Sequence, residues 1–96
     1  MYYIYMLIVS YDIANNKLRT RFSKFLCKFG YRLQYSVFEI KNSDRILKNV
    51  ICEIETKFSR HFTDYDSIII FDLSKQCKKH CFGYAKHDDD SLIIVE

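Results

Sequence analysis

Proline and tryptophan are absent from this 96-residue chain, and glycine occurs only twice, at Gly30 and Gly83. With so few chain breakers, no Pro-, Gly- or Ser-rich stretch stands out as a linker, and no repeat or low-complexity segment appears. The first residues, Met1 to Met6, lack the basic leader and the long apolar segment that secretion needs. The apolar run that continues to Val9 is too short to cross a bilayer. A chain with four cysteines and no leader is expected to be a reduced, cytoplasmic protein without a membrane partner.

What is present suffices for one small domain, taken to span residues 1–96. Apolar residues make up 49% of the sequence, and eight Tyr and eight Phe supply bulk for a single core. So short a chain leaves little room for a deep enclosed pocket, so a site shared between two copies is attractive. The net charge is only +3, but it is unevenly spread. Basic residues crowd into 17–32 and 75–86, whereas Asp88, Asp89 and Asp90 form a separate acidic run that reads as a solvated loop.

Met6-Leu7-Ile8-Val9-Ser10-Tyr11-Asp12 organises the rest. A continuous apolar run of this length reads as a strand buried on both faces, delivering the Asp12 carboxylate at its C-terminal end. Such a rigidly held acid suits a metal ion; it also suits the ordinary task of turning the chain or capping the next helix. Asn15 or Asn16 caps a helix expected to reach Phe29, with Gly30 as the residue that ends it. Leu18, Phe22, Phe25, Leu26 and Phe29 form the buried stripe of that helix, and Lys17, Arg21, Lys24 and Lys28 a basic stripe beside it, with Arg19 on the opposite flank. No acidic residue occurs from Ala14 to Ser36, so the basic face is a candidate for phosphate contact rather than a mixed solvated surface.

From Tyr31 to Ile40 the chain alternates in part, as one bent strand or two short ones. Leu33, Tyr35 and Val37 fall on one side, and Arg32, Gln34 and Ser36 on the other. Phe38 falls on the polar side, which suggests a second packing surface. Asn42-Ser43-Asp44 starts a second helix reaching about Phe62, with Ile46, Leu47, Val50, Ile51, Ile54 and Phe58 inward. Ser67 to Leu73 is another apolar strand. The stretch from Ser74 to Gly83 is basic, through Lys75, Lys78, Lys79 and His80, and holds a short edge strand. Leu92-Ile93-Ile94-Val95 reads as a last strand that pairs with a partner's sheet. The pattern is α+β: two helices on one face of a mainly antiparallel sheet.

Three segments in this order carry a resemblance: Ser10-Tyr11-Asp12-Ile13, the basic helix with Arg19 and Arg21, and Arg32-Leu33-Gln34-Tyr35-Ser36-Val37-Phe38-Glu39. Together they resemble CRISPR-associated protein family two, the small partner of the spacer-acquisition integrase in prokaryotic antiviral defence. Asp66-Ser67 ahead of the third apolar run also fits. The resemblance implies a ferredoxin-like homodimer whose strand-end carboxylates approach across a two-fold axis and share a divalent ion, expected to be Mg²⁺. By position it makes Asp12 the metal ligand and catalytic carboxylate, and makes Tyr11, Arg19, Arg21, Arg32 and Phe38 residues that surround the site or contact nucleic acid. It further implies endonuclease activity on RNA or DNA, and a non-catalytic role bridging integrase dimers along the duplex backbone of a spacer precursor.

The residues themselves bear on this chemistry. Metal-assisted phosphodiester hydrolysis needs an ion to activate water and to offset charge on phosphate, and one carboxylate per chain is a poor Mg²⁺ site unless a second copy adds its own. Arg19 or Arg21 could clamp the phosphate. No second acid lies near Asp12 in sequence, so a weak enzyme at most is expected. Backbone bridging asks only for a rigid dimer and basic stripes: Lys17, Arg19, Arg21, Lys24, Lys28, then Lys75, Lys78 and Lys79. An alternative is a toxin-type endoribonuclease of the virulence-associated protein D kind, acting on single-stranded RNA. Cys77 and Cys81 with His80 and His87 lack the paired spacing of a zinc site. Cys27 and Cys52 read as small buried hydrophobes within helices.

Overall fold

In the computed structural model, residues 6–41, 44–73 and 78–83 are described. Two helices cover one face of a five-stranded sheet in which every pairing is antiparallel. The strands are β1 (Met6–Asp12), β2 (Gly30–Gln34), β3 (Val37–Lys41), β4 (Ser67–Asp72) and β5 (Lys78–Gly83), in the spatial order β2-β3-β1-β4-β5. The helices are α1 (Asn16–Leu26) and α2 (Asp44–Glu53), the latter continuing through one wide π turn, Ile54–Phe58, and a 3₁₀ turn, Ser59–His61. The first four strands and two helices follow a β-α-β-β-α-β path with β1 and β3 central, the ferredoxin-like two-layer sandwich.

The core lies between the sheet and the helices. Alternate residues of β1 (Leu7, Val9, Tyr11), β3 (Phe38, Ile40) and β4 (Ile68, Ile70) meet Leu18, Phe22, Phe25 and Leu26 of α1 and Val50, Ile54 and Phe58 of the second helix. Aromatic rings link the layers: Tyr11 meets Phe22 edge-on at 5.1 Å between centroids, and Phe22 meets Phe58 edge-on at 5.0 Å. Such pairs contribute about 0.5–1.5 kcal/mol each beyond their buried area.

Several expectations change in detail. Helix α1 stops at Leu26, and Cys27 to Phe29 form a turn. Gly30 opens β2 rather than closing the helix. Its lack of a Cβ is what lets β2 lie against β3, because a Cβ there would sit 2.0 Å from the Glu39 carbonyl oxygen. Residues 30–41 form two strands joined at Tyr35-Ser36. A bulge between Arg32 and Gln34 puts Arg32 opposite Phe38 and Gln34 opposite Val37. The inserted residue breaks the period of two, so Arg32 and Gln34 do not share a face. Phe38 is fully buried in the main core, not on a second packing surface, because the turn resets the phase of β3. Cys27 and Cys52 are both exposed: each falls on the solvent flank beside the buried stripe, Cys52 one turn after exposed Lys48. The expected strand Leu92, Ile93, Ile94 and Val95 lies outside the described residues, as do Lys75, Cys77 and His87. Among the described residues no helix is long and apolar enough to cross a membrane.

Candidate functional site

Asp12 is exposed at the last position of β1, opposite Ser67 of β4. Because strand residues alternate, it shares a face with Met6, Ile8 and Ser10, the face turned away from the helices. Register adds Val37, Glu39 and Lys41 from β3, Ile69 and Phe71 from β4, and Lys79 and Cys81 from β5. All but exposed Asp12 and Lys41 are half-buried, and no element of the described chain covers this surface. It is apolar at the centre, through Ile8, Val37, Ile69 and Phe71, and charged at the rim.

Behind Asp12 the chain is held from two sides. Arg19 reaches back from the first turn of α1, its Nη1 donating to the carbonyl oxygens of Ile13 at 3.0 Å and Ala14 at 3.4 Å, while Nη2 donates to the Asn16 side chain. From the other side comes Asp66, just ahead of β4 and only 1% exposed. Its carboxylate accepts the Ala14 N–H at 2.9 Å, the Thr63 N–H at 2.8 Å and the Thr63 hydroxyl at 3.2 Å. Asn15 caps α1 by accepting the Leu18 N–H at 2.9 Å. Gly83, at φ +70°, lets β5 approach the same loop, since a Cβ there would lie 2.1 Å from the Asp66 carbonyl oxygen.

Tyr11 and Phe38, expected to touch nucleic acid, belong instead to the core at 4% and 0% exposure, with ring centroids 6.2 Å apart. The alternation that exposes Asp12 turns Tyr11 inward. Burial pushes the Tyr11 phenol above its ordinary value, while the Arg32 guanidinium beside it pulls the other way. The hydroxyl therefore stays protonated near neutrality and is no base. Arg32 is exposed, with its guanidinium 5.4 Å from the Phe38 ring centroid. Arg19 is half-buried and engaged with the loop, so it is not an open phosphate clamp.

Lys17, Arg21 and Lys24 are exposed along α1, and Lys28 continues them in the following turn. Lys78 and Lys79 do not form one patch. Register places Lys78 opposite Asp72 on the helix side and Lys79 opposite Phe71 on the uncovered face. Likewise His80 and Cys81, as strand neighbours, point to opposite faces and cannot share an ion. A groove of about 280 Å³ on the helix side, bordered by Phe25, Phe29, Cys52 and Lys57 among others, contains none of the residues near Asp12.

No three His, Cys, Asp or Glu side chains among the described residues come together as a metal site. A single chain thus offers a divalent ion one exposed carboxylate, half of what a water-retaining Mg²⁺ site needs; a symmetry-related Asp12 would supply the other half. Asp66 was the residue that sequence reasoning missed as part of this region. An acid between a turn and a strand reads as a turn former, and only the 52-residue closure to Ala14 shows its second task.

These features define a small ferredoxin-like protein with a strand-end carboxylate, an uncovered apolar sheet face and a basic helix. Residues 5–81 match the family model of CRISPR associated protein Cas2. The chain belongs to that family and so to the CRISPR-associated proteins. It is 30% identical over 91 residues to CRISPR-associated endoribonuclease Cas2 2 of Methanospirillum hungatei, covering 93% of this chain and 96% of that one. It is 34% identical over 64 residues to CRISPR-associated endoribonuclease Cas2 of Mycobacterium tuberculosis, covering 67% of this chain and 53%, about half, of that relative. A solved hypothetical protein of Thermus thermophilus superposes with a TM-score of 0.61 at 26% identity, over 73% of this chain and 82% of that one.

Proposed function

We propose that this protein acts as a homodimer in CRISPR adaptation, binding the backbone of duplex DNA and bridging integrase subunits, with Mg²⁺-dependent endonuclease activity as a weaker capacity. The observation that carries the reading is the placement of Asp12 at the rim of the uncovered apolar face. A face of Ile8, Val37, Ile69 and Phe71 with Glu39, Lys41 and Lys79 around it has the make-up of a self-complementary interface. Packing two such faces about a two-fold axis would bring both Asp12 carboxylates to one seam. The exposed stripe of Lys17, Arg21, Lys24 and Lys28 would then appear twice, suited to phosphates rather than base edges.

Within the cleavage reading, Asp12 from each copy would hold Mg²⁺, which supplies Lewis-acid and water-activating chemistry when bound. Arg21 lies free of the loop clamp and is the better phosphate partner of the two helix arginines. The names of the curated relatives favour RNA as the cleaved strand.

Binding to a spacer-length duplex over a salt series, with and without integrase, tests the bridging role. A steep salt slope, tightened by integrase and unchanged in Asp12→Asn, is the expected result. Cleavage of single-stranded RNA with Mg²⁺ should fall at least about a hundredfold in the same variant, as when a group stabilising transition-state charge is removed. Duplex binding that ignores both salt and integrase would overturn the bridging reading.

A further inference from the structure

We infer that Asp66 and Arg19 are a pair of positioning residues that fix the direction of Asp12. Resting on the metal-ligand reading above, this gives two residues distant in sequence one shared task. The two peptide units that follow Asp12 are gripped on opposite polarities. Arg19 donates to the carbonyls of residues 13 and 14, and Asp66 accepts the N–H of residue 14. Neither contact is a generic helix cap, since Asn15 fills that role by itself. Asp66 is also anchored on its far side by both donors of Thr63. The grip therefore ties the end of β1 to the start of β4.

This arrangement answers a geometric need. Asp12 is the last residue of its strand, and no hydrogen bond or ion pair to another described side chain restrains its carboxylate. Its direction is thus set by the backbone on either side. Ahead of it, pairing with β4 fixes Tyr11 and Asp12 to Ile68 and Ser67. Beyond it the chain leaves the sheet, and there the backbone is held by Arg19 and Asp66. An ion shared between two copies is sensitive to that direction, because an error in one loop is repeated by symmetry in the other.

The alternative task for Arg19, direct phosphate contact, predicts a different outcome, and one set of variants separates the two. Mn²⁺ binding is followed by electron paramagnetic resonance in the full-length protein for Asp66→Asn, Arg19→Ala and Asp12→Asn, beside the duplex salt slope of each. Asn at 66 has one acceptor oxygen and would turn its NH₂ toward one of the N–H groups now bound. Loss of an outer partner costs metal sites about 10–100-fold in affinity, and that fall is expected for Asp66→Asn and Arg19→Ala with the salt slope unchanged. Ala14 amide exchange, faster in both variants, reports release of the loop without reference to metal. Should Asp66→Asn fail to fold, the surface variant Arg19→Ala carries the test alone.

A salt slope reduced by about one with Mn²⁺ affinity intact would make Arg19 a phosphate contact and sink the positioning role. Normal Mn²⁺ affinity in Arg19→Ala and Asp66→Asn, alongside a loss in Asp12→Asn, would sink it as well while sparing the metal reading. Normal affinity in Asp12→Asn would remove the metal reading itself.

Discussion

Two adjacent residues, Tyr11 and Asp12, show how one register decides chemistry. Alternation sends Asp12 to the uncovered face and Tyr11 into the core, where burial raises its phenol above the ordinary value of 10.0. A group whose folded pKa exceeds its unfolded one stabilises the fold below the unfolded value and loses that contribution as pH climbs through the folded one. Relative to Tyr11→Phe, the unmodified chain should therefore lose stability only above about pH 10, as urea midpoints on either side of that pH would show. Tyr31, exposed on the uncovered face, also titrates late, because its hydroxyl donates to the Glu39 carboxylate. It is not in the core and should be insensitive to that test of burial. Among single residues, Asp12 was legible from sequence because an acid at the end of an apolar run has few readings. Asp66 was not: its partner Ala14 is far away in the chain, and a backbone N–H leaves no trace in sequence.

At the level of elements, periodicity worked where one face is buried along the whole segment. The stripes of α1 and the run of β4 are of that kind, and the burial of Leu18, Phe22, Val50, Ile54, Ile68 and Ile70 follows from spacing. It failed at residues 30–41. A hairpin turn made of Tyr35-Ser36, with neither Gly nor Asn, carries no turn signature, and the bulge before Gln34 shifts the phase unseen. Phe38 was misread for that reason. The exposed cysteines have a simpler cause, since Cys is as tolerable on a helix flank as beneath it and composition does not choose. Helix α1 also carries a quantitative prediction. Each phosphate neutralised by Lys17, Arg21 or Lys24 contributes about 0.9 to the logarithmic salt slope. Changing all three to Ala should lower the slope by about three if all three touch the duplex, with helix content by circular dichroism unchanged.

For the whole molecule, the layering leaves one sheet face covered and one open. The apolar centre of the open face makes self-association its natural state, because an uncovered patch of this kind is costly in water. Phe71→Glu places a charge at that centre without touching the core, where β4 contributes Ile68 and Ile70. Sedimentation should show this variant as a monomer at concentrations where the parent is a dimer, with little change in the unfolding midpoint of the monomer. A Phe71→Glu protein that sediments like its parent would place the interface elsewhere.

The grip on the loop also has a consequence in time. Ala14 and Asp66 are 52 residues apart, so a ribosome adding about 5–20 residues per second finishes the first some three to ten seconds before the second. During that interval β1, α1, β2 and β3 can assemble around Phe22 and Phe38, while β1 still lacks its β4 neighbour. The stretch that carries Asp12 is therefore among the earliest made and the latest secured: a nascent chain would hold this carboxylate on a loose end until β4 docks and Asp66 closes on Ala14.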